Sequence, residues 1–509
     1  METVIDEAGP HRMIGRASIV AAGTVYQQGI SFLAALIVAR VIGASEYGIF
    51  NLARNLVDLT AIVTRLGLDI GLQRYFGETS AAQDHAFRIV VLRRVRLFAS
   101  ALSLLTVAAV ALGLGRVLEA NVYHYSQFAE ILLCLALALP FFTDIAVLGG
   151  AYRGILKLSP PVMTECVLMP TVRLALILIL FAAGWRLWAV VAGTTAASIL
   201  ASVFIAIRAR DDFRARAPAP QDSWTNALRV VRYSSILAVA VLATTLTGSM
   251  DMLILGSFAT AQDLGQYSLV KMLLVLMGVF GVAFTSGLGT LVAERHFRGD
   301  PAGVVQVMSV TARLVTLVTL PIFAIFLFWG AEIALLFGSS FSVSQAVVSW
   351  LATGQFVLMI FGPAGWALSM TGRHVLEVKI LIAGLVLSAL FCLVAVPALG
   401  QLGAAIATCC SITVVNLVRL LFVRRSIGVF PFGVDIFAIT AAGIGLGWGS
   451  DLMVAQFALS AFWSIALGIG GFVLAYGVAG WMYFLSDAEK NGMVRALRDK
   501  VRKLSAAEQ

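Results

Sequence analysis

Charged residues are scarce in this 509-residue chain: Asp, Glu, Lys and Arg make up 12% of it, whereas apolar residues make up 60%. Soluble globular proteins average about a quarter charged residues and about half apolar residues. The shortage of charge therefore excludes a soluble globular protein and predicts a chain that lives in a lipid bilayer.

Histidine and cysteine are also scarce, with five of each. The cysteines lie inside apolar stretches, without the spacing of metal ligands or disulfide partners, so we expect packing residues at Cys134, Cys166, Cys392, Cys409 and Cys410. The sequence contains no His-Glu-x-x-His, Gly-x-Ser-x-Gly or phosphate-loop motif and no loop long enough for a soluble catalytic domain. We therefore expect no enzyme activity, no metal and no bound cofactor.

Apolar stretches of about 20 residues, enough to cross roughly 30 Å of hydrocarbon as helices, recur about fourteen times. They lie near 17–42, 47–67, 95–115, 126–150, 162–183, 187–207, 233–258, 265–290, 308–330, 344–370, 375–397, 401–423, 433–454 and 459–485. Roughly 29 of the 36 Lys and Arg residues fall in alternate connecting segments, beginning with the N-terminal one. We predict an all-α polytopic membrane protein with both termini cytoplasmic, and an attached first span rather than a cleaved signal peptide.

The longest polar interruption, residues 208–232, is basic and contains proline, and we interpret it as a cytoplasmic linker between two lobes. The predicted parts are an N-terminal lobe at 1–207 with spans 1–6, a C-terminal lobe at 233–425 with spans 7–12, spans 13 and 14 at 426–486, and a basic cytoplasmic tail at 487–509. Basic inner loops facing anionic lipid heads account for the net charge of +9. The charge is therefore no evidence for a nucleic-acid partner.

A short motif occurs twice, which indicates an internal repeat. Ala44 to Arg54 aligns with Ala261 to Lys271 at an offset of 217 residues, with Gly48 on Gly265 and Arg54 on Lys271. Membrane chains with two similar halves are commonly transporters whose site lies where the halves meet.

Polar residues follow one face of several expected spans, and each is a candidate site residue because burying charge in a membrane is costly. Span 2 carries Asn51, Arg54, Asn55, Asp58 and Arg65 at helical spacing. Span 1 carries Thr24, Gln27, Gln28 and Ser31, and span 7 carries Thr244, Thr247, Gly248 and Asp251. The alternatives are an Arg54–Asp58 pair, an Arg65 side chain that reaches the interface, and hydroxyls that only join helices.

Other charges expected inside the membrane are Asp144, Glu165, Arg173 and Lys271, with Glu165 near the inner interface. Asp58, Asp144 and Asp251 could bind a coupling proton or sodium ion, whereas an Asp251–Lys271 ion pair would leave no coupling site on span 7. The close glycines of 443–449 and 468–471 indicate helix packing rather than a phosphate loop.

The motif Arg40-Val-Ile-Gly43-x-x-Glu46-Tyr47-Gly48, with Gln73-Arg74-Tyr75 after it, resembles the polysaccharide flippase family of the multidrug/oligosaccharidyl-lipid/polysaccharide exporter superfamily. Tyr152-Arg153-Gly154 and Met370-Thr371-Gly372-Arg373 resemble that family's shorter motif. The resemblance covers essentially the whole chain. It implies two six-helix lobes in a V around a central cavity, with spans 13 and 14 appended.

The resemblance further implies a polyprenyl-diphosphate-linked oligosaccharide as substrate, moved across the bacterial inner membrane for surface polysaccharide biosynthesis, with a polymerase and export machinery as partners. Fixed cations could then hold the diphosphate, supplied by Arg54, Arg65, Arg173 and Lys271. Sugar hydroxyls could contact Gln27, Gln28, Thr244 and Thr247. The alternatives are a peptidoglycan lipid-precursor flippase, a cation-coupled drug exporter, and a membrane polymerase or glycosyltransferase.

Overall fold

The computed structural model describes residues 10–80, 85–213, 223–285, 288–427, 433, 435–456 and 461–484. Throughout these ranges the regular elements are helices and none is a strand. Part of the expected linker, 214–222, and the expected tail at 487–509 lie outside the described residues, as do short stretches of spans 13 and 14.

The α-helices are numbered here in chain order. The first nine are α1 (Pro10–Arg65), α2 (Leu68–Ser80), α3 (His85–Ala109), α4 (Gly115–Leu118), α5 (Phe128–Ala136), α6 (Leu139–Gly154), α7 (Ser159–Val162), α8 (Met169–Ala182) and α9 (Leu187–Asp212). The others are α10 (Ser223–Phe258), α11 (Ala261–Thr285), α12 (Leu288–Phe297), α13 (Pro301–Leu335), α14 (Gln345–Phe361), α15 (Pro363–Leu368), α16 (His374–Ile427), α17 (Asp435–Ala455) and α18 (Ala461–Ala479). Short π-helical segments, such as Met163–Leu168 and Ser369–Arg373, connect some of them.

Ten of the described helical stretches are long and apolar enough to cross a membrane. Two are too long for one crossing, because Ile19–Gly77 has 59 residues and Gln345–Arg425 has 81, whereas about 20 suffice. Glycines with positive φ interrupt both stretches: Gly43 and Gly67 in the first, Gly372 and Gly400 in the second. The predicted all-α membrane fold is confirmed, and the number of fourteen spans stays a prediction.

The contacts divide the chain into two compact units. Unit 1 comprises Met1–Met272, Phe337–Ser342 and Leu381–Ser411, and unit 2 comprises Leu273–Leu336, Val343–Ile380 and Ile412–Gln509. A buried apolar core in unit 1 joins α2, α3, α6 and α9, with Phe76 and Tyr152 as its largest fully buried side chains. In unit 2, Phe323 and Phe356 stack with their ring centroids 4.4 Å apart, which ties α13 to α14. The lobe boundaries expected from the sequence stay predictions.

The two copies of the repeated motif pack against each other inside unit 1. A Cβ added to Gly48 would overlap the carbonyl oxygen of Ala261 and the backbone nitrogen of Gly265. In turn, a Cβ added to Gly265 would overlap the carbonyl oxygen of Ala44. Since Ala44 aligns with Ala261 and Gly48 with Gly265, the contact is reciprocal, as in a twofold interface between identical subunits. The glycines therefore permit a backbone-to-backbone approach of α1 and α11.

Each copy of the motif begins a helical segment just before this contact. Gly43, with φ 80° and ψ 174°, breaks α1, and the freed N–H of Ala44 donates to the Ser340 hydroxyl at 3.2 Å. At the aligned position before α11, the backbone N–H and the hydroxyl of Thr260 donate to Asp263 Oδ2 at 3.2 and 2.7 Å. The motif acids Glu46 and Asp263 thus lie in the first turn of a helical segment, where the helix dipole favours a carboxylate.

The glycine-rich segments of α17 and α18 include positions of close packing in unit 2. A Cβ would overlap Leu320 at Gly443 and Phe328 at Gly447, and at Gly468 it would lie 2.9 Å from the Trp329 ring. The predicted packing role is confirmed for these three glycines, whereas Gly445, Gly449, Gly470 and Gly471 have open space within 4 Å.

We predict that Gly265→Ala destabilises the protein, because the added methyl group meets backbone atoms that cannot rotate away. Overpacking of this kind costs about 1–3 kcal/mol. The measurement is the apparent midpoint of thermal unfolding of purified protein in detergent. Gly29→Ala is the matched control, since open space surrounds Gly29 and alanine is the better helix former. Equal midpoints for the two variants would contradict the reciprocal contact.

Candidate functional site

A cavity of about 250 Å³ in unit 1 lies beside both segments of α1. We call it the α1 cavity. Its polar lining consists of Gln27, Ser31, Tyr47, Asn51, Arg54, Glu165, Arg173 and Thr194. The break at Gly43 places two stripes of one helix on this cavity: Gln27 and Ser31 precede the break, and Asn51 and Arg54 follow it. A straight helix could not present both stripes to the same small volume.

Two guanidinium groups line the α1 cavity, from Arg54 on α1 and Arg173 on α8. Arg54 Nε lies 3.5 Å from Asp58 Oδ2, and the two side chains are 35% and 55% exposed, so this long, open ion pair is weak. Arg173 lies close enough for its charge to interact with those of Arg54 and Asp58. Two neighbouring guanidinium groups, each with a planar fork of N–H donors, suit a phosphate or diphosphate.

The acid in the lining, Glu165, forms an ion pair with Arg153, which is not itself a lining residue. Its Oε2 lies 3.4 Å from Nη1 of Arg153, the base of the Tyr152-Arg153-Gly154 motif. Both side chains are about one-third exposed. The Arg153 charge offsets the Glu165 carboxylate, which leaves the two lining arginines as the dominant charges.

Lys271, which was expected to share a site with Arg54, is not among the residues that line the α1 cavity. Its ammonium donates to both oxygens of Asp251, at 2.8 and 3.0 Å, and to the Gly248 carbonyl at 2.7 Å. Asp251 is buried and also accepts hydrogen bonds from the Tyr267 hydroxyl at 2.6 Å and the Thr408 hydroxyl at 3.1 Å. The ion pair raised above as the alternative for Asp251 is therefore the arrangement in the structure.

Asp144, the third acid considered for ion coupling, is paired as well. It accepts from Nε and Nη2 of Arg96 at 2.7 and 3.0 Å and from the Ser202 hydroxyl at 3.1 Å. Asp58 is the most exposed of the three acids. Of the three, it is the one whose carboxylate the protein encloses least.

The other residues predicted to contact the substrate are absent from the described lining of the α1 cavity. Gln28, Arg65, Thr244 and Thr247 are not lining residues. The two threonine hydroxyls donate to carbonyls of their own helix, from Thr244 to Ala240 and from Thr247 to Ala243, at 2.8 Å each.

The motif bases also lie outside this lining: Arg40 is exposed, and Arg74 lies over the Tyr233 ring at 4.4 Å.

The sequence reasoning missed a second buried ion pair, between Glu377 and Arg419 in unit 2. Arg419 donates from Nη2 to Oε1 of Glu377 and from Nε to Oε2 at 3.3 Å, and its Nη1 lies 3.3 Å from Oδ1 of Asn416. Both charged side chains are about 10% exposed. The sequence feature that could have indicated this site was the i,i+3 spacing of two polar residues, Asn416 and Arg419, on an otherwise apolar helix.

No group of three or more His, Cys, Asp or Glu side chains in the described part of the chain lies together as a metal site would require. None of the five cysteines, all of which lie in the described residues, forms a disulfide bond; Cys392 and Cys409 are buried and the other three are half-buried.

A family model described as polysaccharide biosynthesis protein matches residues 16–288, which is more than half of the chain. The chain belongs to this family. A second model, MatE, matches residues 237–394. The family match, the helical fold and the relatives below together confirm the predicted membership of the multidrug/oligosaccharidyl-lipid/polysaccharide exporter superfamily.

A relative from Haloferax volcanii, described as the probable low-salt glycan biosynthesis flippase Agl15, is 22% identical over 394 residues, which are 77% of this chain and 79% of the relative. Among solved structures, the lipid II flippase MurJ in an inward closed conformation matches with a TM-score of 0.72 at 12% identity, covering 91% of this chain and 98% of that one. An inward-facing multidrug resistance MATE transporter matches with a TM-score of 0.59 at 16% identity, covering 79% and 94%. These structural likenesses show a shared fold.

The relatives are flippases or transporters and not enzymes, and this family member is a non-enzymatic, multi-pass membrane protein of the flippase type.

We predict that Lys271→Met lowers stability strongly, because it leaves the buried Asp251 carboxylate without its counter-charge. Breaking a buried ion pair from one side costs about 3–5 kcal/mol. The double variant Asp251→Asn, Lys271→Met removes both charges and should recover much of that loss. The measurement is the apparent thermal unfolding midpoint in detergent.

Arg54→Gln is the control for this prediction, since an exposed pair is worth about 1 kcal/mol or less. A midpoint for Lys271→Met equal to that of Arg54→Gln would show that the buried pair does not stabilise unit 1.

Proposed function

We propose that this flippase moves a polyprenyl-diphosphate-linked oligosaccharide from the inner to the outer leaflet by alternating access. The observation that carries the proposal is the pair of guanidinium groups, Arg54 and Arg173, on one small cavity with amide and hydroxyl groups beside them. A diphosphate needs fixed cations in a site that excludes much of the water, and arginine binds it through two parallel N–H bonds. Gln27, Ser31 and Asn51 supply donors and acceptors for a neighbouring sugar.

The family match supports this substrate class over the alternatives, because the matching model is that of a polysaccharide biosynthesis protein. A peptidoglycan lipid precursor also carries a diphosphate, so the two arginines alone do not separate it from an oligosaccharide carrier. The likeness to the lipid II flippase is one of fold at 12% identity. We keep the precursor flippase as the second candidate.

We further propose that the protein lies in the inner membrane of a bacterium, with both termini on the cytoplasmic side, and serves a polymerase and export machinery for a surface polysaccharide. The support is the alternation of basic segments along the chain. A cysteine at position 215, in place of Ala215, should resist a membrane-impermeant thiol reagent added outside intact cells. Strong labelling there would show that this segment faces outside and would contradict the proposed topology.

We predict that Arg54→Gln and Arg173→Gln each reduce transport at least about 100-fold while leaving the amount of protein in the membrane nearly unchanged. Charge-assisted hydrogen bonds contribute about 1.5–3 kcal/mol each, and two of them are lost with each bidentate arginine. The assay is flipping of a lipid-linked oligosaccharide in reconstituted vesicles, read by the accessibility of its glycan from outside.

Arg298→Gln, at an exposed ion pair with Glu294 outside the α1 cavity, is the matched control and should transport normally. Normal flipping by the Arg54→Gln, Arg173→Gln double variant would rule out the proposed site. Flipping of a peptidoglycan precursor in preference to an oligosaccharide carrier would select the second candidate.

For energy coupling, we propose that Asp58 carries a proton or a sodium ion. Asp58 is the exposed partner of Arg54. Binding of the substrate diphosphate to Arg54 would therefore change the charge next to the Asp58 carboxylate. Asp144 and Asp251 already hold arginine and lysine partners. In vesicles with an imposed proton or sodium gradient, Asp58→Asn should flip substrate without responding to the gradient, whereas an undiminished response would refute this role.

A further inference from the structure

A second cavity in unit 1 is lined by three arginines and shares no lining residue with the α1 cavity. Its volume is about 330 Å³, and α3, α6 and α9 contribute to its wall. The arginines are Arg93, Arg96 and Arg210, and none of the described lining residues is acidic. We call this site the arginine cavity.

Arg96 is fixed in the wall by the Asp144 carboxylate behind it. The bonds to Asp144 use Nε and Nη2, at 2.7 and 3.0 Å, and the Ser202 hydroxyl holds the same carboxylate at 3.1 Å. A guanidinium group has five N–H donors, so three remain beyond this side-on pair. The Arg96 side chain is therefore oriented before a ligand binds. Binding then avoids the entropy cost of ordering a free side chain.

Arg93 and Arg210 complete the cluster from two helices. Arg93 lies one turn before Arg96 on the same face of α3, where like charges repel. Arg210 lies in the last turn of α9. Within the described part of the chain, no hydrogen bond or ion pair is found for either of these two side chains, and both are exposed. Asp144 offsets one of the three charges, so the cavity keeps an excess positive charge that an anion would neutralise.

The wall of the arginine cavity is also partly apolar. Leu92, Leu148 and Phe213 line the cavity together with the arginines. The basic segments that supply Arg93 and Arg210 are predicted to lie at the cytoplasmic face, where anionic lipid headgroups are concentrated. A phosphate group that carries an apolar substituent matches both parts of this wall.

We propose that the arginine cavity binds a phosphate group, with Arg93 and Arg210 as its direct ligands and Arg96 as a third donor positioned by Asp144. The shared chemistry is that of a phosphate ester, from an anionic lipid headgroup or a soluble phosphate. The site is separate from that proposed for the transported lipid-linked diphosphate.

The test uses the full-length protein in detergent, with two probes. Native mass spectrometry counts retained phosphatidylglycerol against phosphatidylcholine, and a thermal shift measures stabilisation by inorganic phosphate. The variant is Arg93→Gln, Arg210→Gln, which leaves the Arg96–Asp144 pair intact. The charge-matched control is Arg208→Gln, Arg298→Gln. Arg208 lies on α9 next to Ala209, a residue of the arginine cavity, but it lines a different cavity.

We expect the native protein and the control to retain phosphatidylglycerol in preference to phosphatidylcholine. A direct charge-assisted hydrogen bond to phosphate contributes a factor of roughly 10 or more in affinity, so loss of both direct ligands should weaken retention by the variant at least about 100-fold, and by more than in the control, whose arginines do not line this cavity. Stabilisation by inorganic phosphate that the variant lacks, without a lipid preference, would support the site with a soluble ligand instead. Arg93→Lys, Arg210→Lys, which keeps the charges, should retain part of the binding and covers the case in which the glutamine variant does not fold.

Equal retention of both lipids by the native protein, the variant and the control, together with no response to inorganic phosphate, would overturn the proposal. The unfolding midpoints without any ligand verify that the variants are folded. Transport of the lipid-linked oligosaccharide is measured separately, so failure of this site and failure of the proposed function are distinguishable.

Discussion

The arrangement of unit 1 depends on a contact between two glycines. At Gly48 and Gly265 the backbones of α1 and α11 approach so closely that backbone atoms of Ala261 and Gly265 fill the space of a Cβ at Gly48, and those of Ala44 fill the space of a Cβ at Gly265. Because the two segments are copies of one motif, the same residue types satisfy both sides of the contact. The segment that carries Gly48 also carries Arg54, and the segment that carries Gly265 also carries Lys271. The close approach therefore fixes the positions of Arg54 and Lys271, the bases of the two motif copies.

Sequence reasoning succeeded where a pattern has one physical solution. A chain with so few charges must be a membrane protein, and repeated apolar stretches in a bilayer must be helices. The glycine spacings of α17 and α18 indicated packing, which holds at Gly443, Gly447 and Gly468. The spacing of Asn51 and Arg54 on span 2 likewise placed these two residues on one face, and both line the α1 cavity.

Sequence reasoning was weaker where the outcome depends on partners far along the chain. Arg54 and Lys271 are equivalent in the repeat, yet Arg54 has an exposed neighbour while Lys271 is held by a buried carboxylate. Equivalent positions acquire different surroundings because Asp251 has no acidic counterpart in the first copy. Glu377 and Arg419 are 42 residues apart, and no periodicity on one helix relates them. Ion pairs between helices require the packing to be known first.

The Lys271 ammonium differs from a free metal cation in one further respect. It belongs to the chain, so its local concentration beside Asp251 stays the same whatever the salt content of the surroundings. A metal ion bound by the same carboxylate would come and go with its bulk concentration. The Asp251 carboxylate therefore keeps its counter-charge in dilute and in concentrated salt solution alike.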